Sequence, residues 1–160
     1  MSVRVTVRIE GTSELGDDYA AVPILFERTI DVPTGDSAGQ ANKALFKRNT
    51  LTAGQTVALN IDSLELPAQS DVTSDATVVL MLSCDAGNGS SISVKTGASN
   101  GFAAFLGADC DIPVGPGGML LIVQPNGIAS GASSRAVDFV NDDASNPATC
   151  TLSIFGRKAE

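Results

Sequence analysis

The 160-residue chain contains no histidine and no tryptophan, and its aromatic residues amount to only 4%. Without histidine the commonest general base, the usual base of a serine triad and the commonest transition-metal ligand are all missing. Scarce aromatics leave few platforms on which bases or sugars stack. Cysteine is sparse too. Cys84, Cys110 and Cys150 are odd in number and show no C-x-x-C spacing, so no disulfide framework is indicated and three free thiols are expected. No apolar run approaches the ~18 residues that span a bilayer; MLLIV and VVLML are strand-sized. The opening MSVRVTVRIE alternates instead of placing a charged head before an apolar block. That pattern predicts no secretory signal, and synthesis and assembly in a cytoplasm.

Positive charge is the other deficit. Ten basic residues face 18 acidic ones, for a net charge of −8. Most of such a surface repels a phosphate backbone, which argues against a nucleic-acid partner, and nothing points to a membrane. The imbalance is uneven: residues 1–50 carry 6 basic and 7 acidic side chains, and residues 51–160 carry 4 and 11. A hydrophobic fraction of 43% with 18% charged residues is that of a globular chain, too apolar for a disordered one.

What is present is strand periodicity. Val3, Val5, Val7 and Ile9 alternate with Arg4, Thr6, Arg8 and Glu10, which places the two sets on opposite faces. ILFERTIDV follows the polar stretch GTSELGDD, and KALFKRNTL follows VPTGDSAGQAN. In TVALNID, Val57, Leu59 and Ile61 point inward, with Thr56, Asn60 and Asp62 outward. ATVVLMLS is nearly continuous in apolar residues, as a central strand covered on both faces would be. ISVKT, GGMLLIVQ, SRAVDFVN and ATCTLSIF complete the set, and Cys150 shares a register with Leu152 and Ile154 as a small core residue. Turn signals recur between them: DAGNGSS, GASNG, VGPGG, QPNG, ASGASS and NDDASNP. No glycine- and proline-free stretch carries a long 3.6-residue pattern. The predicted fold is all-β, an antiparallel β-sandwich of jelly-roll type, formed by residues 1–160 as one domain.

The dense glycines raise the question of a phosphate loop. VGPGGMLL lacks the lysine and hydroxyl of a P-loop and precedes a strand instead of a helix, so Pro116 with Gly117 and Gly118 predicts a turn. DAGNG, with Asp85 and Asn88, lacks the alternating oxygen ligands and closing glutamate of a calcium loop. Asp109 and Asp111 flank Cys110 and would share a strand face, but nothing nearby raises a pKa; they are expected to be solvated. Asp142 and Asp143 fall in a turn. Asn88-Gly89-Ser90 matches a glycosylation acceptor, which means little without a secretory signal. GIASG is not the G-x-S-x-G elbow. Neither an enzyme activity nor a cofactor or metal site is predicted.

One phrase order is distinctive. A strand ending in Gly97-Ala98 and Asn100, then Phe102, leads to Phe105-Leu106-Gly107. Asp111, Ile112, Val114, Pro116, Gly117 and Gly118 follow, and a last strand ends at Ile154 and Gly156. Over roughly the last two fifths of the chain this resembles small jelly-roll structural proteins from the virion gene clusters of tailed bacteriophages. The resemblance implies a virion location and a cement or decoration protein that clamps adjacent capsomers. A minor neck or tail component binding a host ligand such as a glycan is the alternative. The implied partners are the major capsid protein and other copies of the chain, as a homotrimer at threefold or quasi-threefold points. Phe102, Phe105 and Leu106 would plug one end of the core. Arg4, Arg8, Lys43, Lys47 and Arg48, the local basic clusters of an acidic chain, are the candidate capsid contacts.

Overall fold

The computed structural model describes residues 2–13, 22–61, 63–66, 69–73, 75–131 and 133–158. Asp62, most of the predicted loop GTSELGDD and Ala132 of ASGASS lie outside them. The strands are β1 (Val3–Ser13), β2 (Val22–Val32), β3 (Lys43–Leu51), β4 (Thr56–Asn60), β5 (Ser63–Leu66) and β6 (Gln69–Thr73). They continue with β7 (Ala76–Cys84), β8 (Ile92–Thr96), β9 (Asp111–Val114), β10 (Met119–Ala129), β11 (Ala136–Asn141) and β12 (Ala148–Arg157). One short helix, α1 (Ala103–Leu106), interrupts them.

Eight strands form two antiparallel four-stranded sheets, in the orders β10-β7-β12-β3 and β4-β11-β8-β9. Leu45, Leu80, Leu82, Leu152 and Ile154 of the first sheet meet Ile92, Val94, Val137 and Phe139 of the second in one core. The architecture is therefore the expected all-β sandwich. Its pairings are nested: β3 with β12, β4 with β11, β7 with β10, and β8 with β9.

Two hairpins stand outside this pair of sheets. β5 and β6 form one. β1 and β2 form the other, so VRVTVRIE, expected as a strand of the sandwich, belongs to a separate ribbon. Three strands escape the periodicity: β5, β6 and β9. The phrase QPNG, expected to turn the chain between strands, lies inside β10 instead. There four residues, Gln124 to Gly127, bulge opposite the single residue Val78.

Other local features follow the chemistry of the sequence. β7 is buried along both faces, as its unbroken apolar run requires. The turn after β9 is closed by the Gly118 N–H donating to Gly115 O at 2.9 Å, with Gly117 at φ +72°. Proline then glycine at the central positions is what a type II turn demands.

The linker between β8 and β9 closes one end of the core. Asn100 O accepts from the N–H groups of Arg135 and Ala136, both at 2.8 Å, and Phe102 N–H donates to Ala136 O at 2.9 Å. A side chain at Gly97 would stand 2.5 Å from the Ala136 methyl, so only glycine allows this approach. Phe102 is fully buried, Phe105 nearly so, and Leu106 is half-buried against the same core. The two rings stack at 5.2 Å, and α1 touches both β8 and β10, one strand from each sheet.

All three cysteines are free, with Cys84 and Cys150 buried and Cys110 half-buried. Cys84 and Cys150 are direct partners across β7 and β12. Burial, then the neighbouring Cys84 and Asp85, push the Cys150 thiol up to about 11, and burial also raises Cys84.

Two outcomes test this packing. Phe102→Ala should lower the unfolding free energy by about 3–5 kcal/mol, read by denaturant titration; an unchanged midpoint would contradict the plug. A raised thiol pKa means that stability is complete below the ordinary value of 9.0 and is lost as pH rises through about 11. Melting temperature should therefore fall over that range, and a Cys84→Ala, Cys150→Ala variant should show a flatter decline.

Candidate interaction surface

The β1–β2 ribbon is an arm with two unlike faces, because directly opposed residues of a ladder project to the same side. One side carries Arg4 opposite Asp31, Thr6 opposite Thr29 and Arg8 opposite Glu27. These are stitched together: Arg4 Nε lies 2.6 Å from Asp31, the threonine hydroxyls are 3.1 Å apart, and Arg8 pairs with Glu10 and, at 3.9 Å, with Glu27. The other side sets Val3 against Val32, Val5 against Ile30, Val7 against Arg28 and Ile9 against Phe26, so it is apolar except for one arginine.

The base of that apolar side is anchored. Val3 and Val32 are buried with Val78 and Val79, and Val5 and Ile30 pack there with Leu121, Val123 and Phe155. These partners form the outer face of the β10-β7-β12-β3 sheet. Toward the tip the cover ends. Val7 is 37% exposed, Phe26 49% and Ile9 56%. Facing them, the same sheet leaves Phe46 62% and Met119 60% exposed. Phe46 is held edge-on to Phe155, 5.3 Å between ring centres.

Between arm and sheet runs a groove of about 450 Å³, lined by residues 3–8 of β1 and by Phe46, Val79, Met81, Met119, Leu121 and Phe155. Val7, Ile9, Phe26, Phe46 and Met119 are five of the six large exposed apolar side chains among the described residues; the sixth, Leu25, is opposite Glu10 on the polar side of the arm. Five large apolar side chains exposed side by side are more than the scattered single residues ordinary on a protein surface, and mark the groove as a contact surface.

The basic residues singled out in the sequence are divided by the fold. Arg4 and Arg8 line the groove, but their charges are met by Asp31, Glu10 and Glu27 on the arm itself. Arg48 is outward on β3 and pairs with Asp85. Lys43 and Lys47 alternate with Phe46 and Arg48, fall on the opposite face of β3, and form no ion pair among the described residues. The strands of the arm thus carry Arg4, Arg8 and Arg28 against Glu10, Glu27 and Asp31, a net of zero. The acidic Glu14, Asp17 and Asp18 of the connecting stretch lie outside the described residues.

The carboxylates elsewhere are occupied. Asp109 sits in a turn at φ +55°, whereas Asp111 on β9 pairs with Lys95 at 2.8 Å; the two do not form the shared face their spacing predicted. The hydrogen bond from Lys95 holds the Asp111 carboxyl below its ordinary value. Asp142 accepts from the hydroxyls of Ser91 and Ser93 at 2.7 and 2.8 Å. Asp143 accepts from the N–H groups of Ser145 and Asn146, which lower its pKa. The Asn88 amide brackets Thr149, donating to its carbonyl at 2.9 Å and accepting from its N–H at 2.8 Å. Among the described residues no three cysteines or carboxylates gather as a metal site, and no helix is long and apolar enough to cross a membrane. A second depression of about 380 Å³, lined by Ala58, Asn60, Ala98, Asn100, Arg135 and Asp138 among others, has no aromatic ring on its walls.

Periodicity shows the apolar side of β1 but not what it faces. The signal in the sequence was that both ILFERTIDV and KALFKRNTL place phenylalanine beside charged residues. No protein-family model matches the chain, and no curated protein sequence matches it.

The anchoring of the arm is separable from the sandwich. Val32→Asp would bury an unpaired charge at the arm's base. Protease cleavage within residues 2–32 should then rise at least tenfold, while the remaining fragment keeps a cooperative melt; global unfolding would show the arm to be part of the core.

Proposed function

We propose that this chain is a non-enzymatic structural protein of a tailed-phage virion, a cement or decoration protein that clamps adjacent capsomers. The observation that carries the reading is the one-sided apolar surface. Of the six large exposed apolar residues described, all but Leu25 lie on the apolar side of the arm or on the outer sheet face. That is the arrangement of a protein whose work is to bury surface against neighbours. The nested strand pairing supports reading the sandwich as a jelly roll: the outermost pair is β3 with β12, the innermost β8 with β9, and the pairs alternate between the two sheets. The virion assignment rests on the resemblance carried by Gly97 to Gly156, and the partners are the major capsid protein and further copies, as a homotrimer. Arg4, Arg8 and Arg48 lie beside the apolar surface, where they would form the rim of the contact; Lys43 and Lys47 project from the other face of β3 and would meet a neighbour from that side.

The alternative, an appendage module that binds a host glycan, has less to rest on. The depression near Arg135 and Asp138 offers hydrogen bonds but no ring to stack on a sugar. Particles made without this protein should still assemble but burst at lower temperature than complete ones. Equal robustness combined with failure to adsorb to host cells would overturn the cement reading in favour of the appendage.

A further inference from the structure

We infer that the groove between the arm and the outer sheet face receives the arm of a second copy of this chain. The inference deepens the oligomeric reading above by naming the contact: Val7, Ile9 and Phe26 of one copy against Phe46, Met81 and Met119 of another.

Within one chain the mode of packing is already visible. Val3, Val5, Ile30 and Val32 lie on Val79, Leu121, Val123 and Phe155. The apolar side of the arm and the apolar face of the sheet both continue past this contact, but they diverge, and the groove is the gap between them. A two-stranded ribbon twists more strongly than a strand inside a wide sheet. A ribbon seated flat at its base therefore leaves the sheet surface before its tip. Closing the arm on its own sheet would require untwisting a ladder of eleven paired positions. A second arm fills the wedge without that distortion.

Charge selects the partner. The chain carries −8, so two copies repel over most of their surfaces. The strands of the arm, however, sum to zero: Arg4 and Arg8 are paired on the polar side, and Arg28, opposite Val7, is the single charge on the apolar side. The outer sheet face carries Arg48 and Asp85, which neutralise each other. These are the surfaces through which two copies of an acidic chain meet at least electrostatic cost. A basic partner would instead be drawn to the acidic second sheet. Five large apolar side chains left uncovered on each copy, Val7, Ile9, Phe26, Phe46 and Met119, would supply the apolar centre of an interface of ordinary size, roughly 800 Å² per partner. An arm on one copy and a groove on the next make a head-to-tail contact, which closes as a ring when the rotation allows.

The test uses the full chain with Cys110→Ser. Sedimentation should show a discrete oligomer whose dissociation constant rises at least tenfold in Phe26→Ser and in Phe46→Ser, with unchanged far-UV circular dichroism. Raising salt from about 0.05 to 0.5 M should tighten association, because it screens like charge and leaves apolar contact intact. Mixing an Ile9→Cys chain with a Phe46→Cys chain under mild oxidation should give a disulfide between copies. A monomer at all concentrations would overturn the inference. So would a cross-link formed within single chains of the Ile9→Cys, Phe46→Cys double variant, which would show that the arm folds onto its own sheet. An oligomer that forms as described but leaves particle robustness unaffected would refute the cement reading and not this contact.

Discussion

The double burial of β7 is the constraint from which the rest of the structure follows. Leu80, Leu82 and Cys84 turn into the space between the sheets, and Val78 and Val79 lie on the outside with Val3 and Val32. β10 and β12 satisfy its backbone on either side. A sandwich covers only the inner faces of its sheets, so an apolar outer face must be covered by something else or stay exposed. The arm meets that requirement around Val78 and Val79, and the face around Phe46 and Met119 is left open.

The bulges serve the same end. Strict alternation would send Val78 and Val79 to opposite faces. Val78 is instead the extra residue between the β12 partners Phe155 and Gly156, and it faces residues 124–127 of β10. Both valines therefore join the outer cluster, just where the base of the arm lands. An extra residue in one strand bends it and sharpens the local twist, which suits a sheet that must grip a ribbon on its outer side.

Much of this was legible in the sequence, and the failures have identifiable causes. Alternation found nine strands, and the unbroken run in β7 announced a strand covered on both faces. Pro116-Gly117 announced the turn it makes. β9 was hidden by Pro113, which reads as a breaker, yet β9 is an edge strand and an edge tolerates the missing N–H. QPNG has the chemistry of a hairpin turn, but the chain returns to the same partner strand after it. In the hairpin of β5 and β6, SLEL alternates but over only four residues, too short to stand out, and QSDVT is mostly polar. Periodicity also reports which side of a strand is apolar and not what that side touches, so the arm could not be told from a strand of the sandwich. For the same reason the basic residues 43, 47 and 48 looked like one cluster in the chain, whereas alternation along β3 divides them between two faces.

The distribution of charge gives the molecule two unlike sides. The second sheet and its loops hold Asp109, Asp111, Asp138, Asp142 and Asp143 against Lys95 and Arg135. Several of those acids are tied into turns or to serine hydroxyls, so they shape loops and remain solvated. The opposite side, arm and outer sheet face, carries balanced ion pairs and the exposed apolar residues. Exposed pairs such as Arg4 with Asp31 add little stability, but they cancel charge where like charges would otherwise meet. An acidic side keeps copies apart in every orientation except the one that brings neutral, apolar faces together. The same distribution of charge therefore restricts how copies of an acidic chain can approach one another.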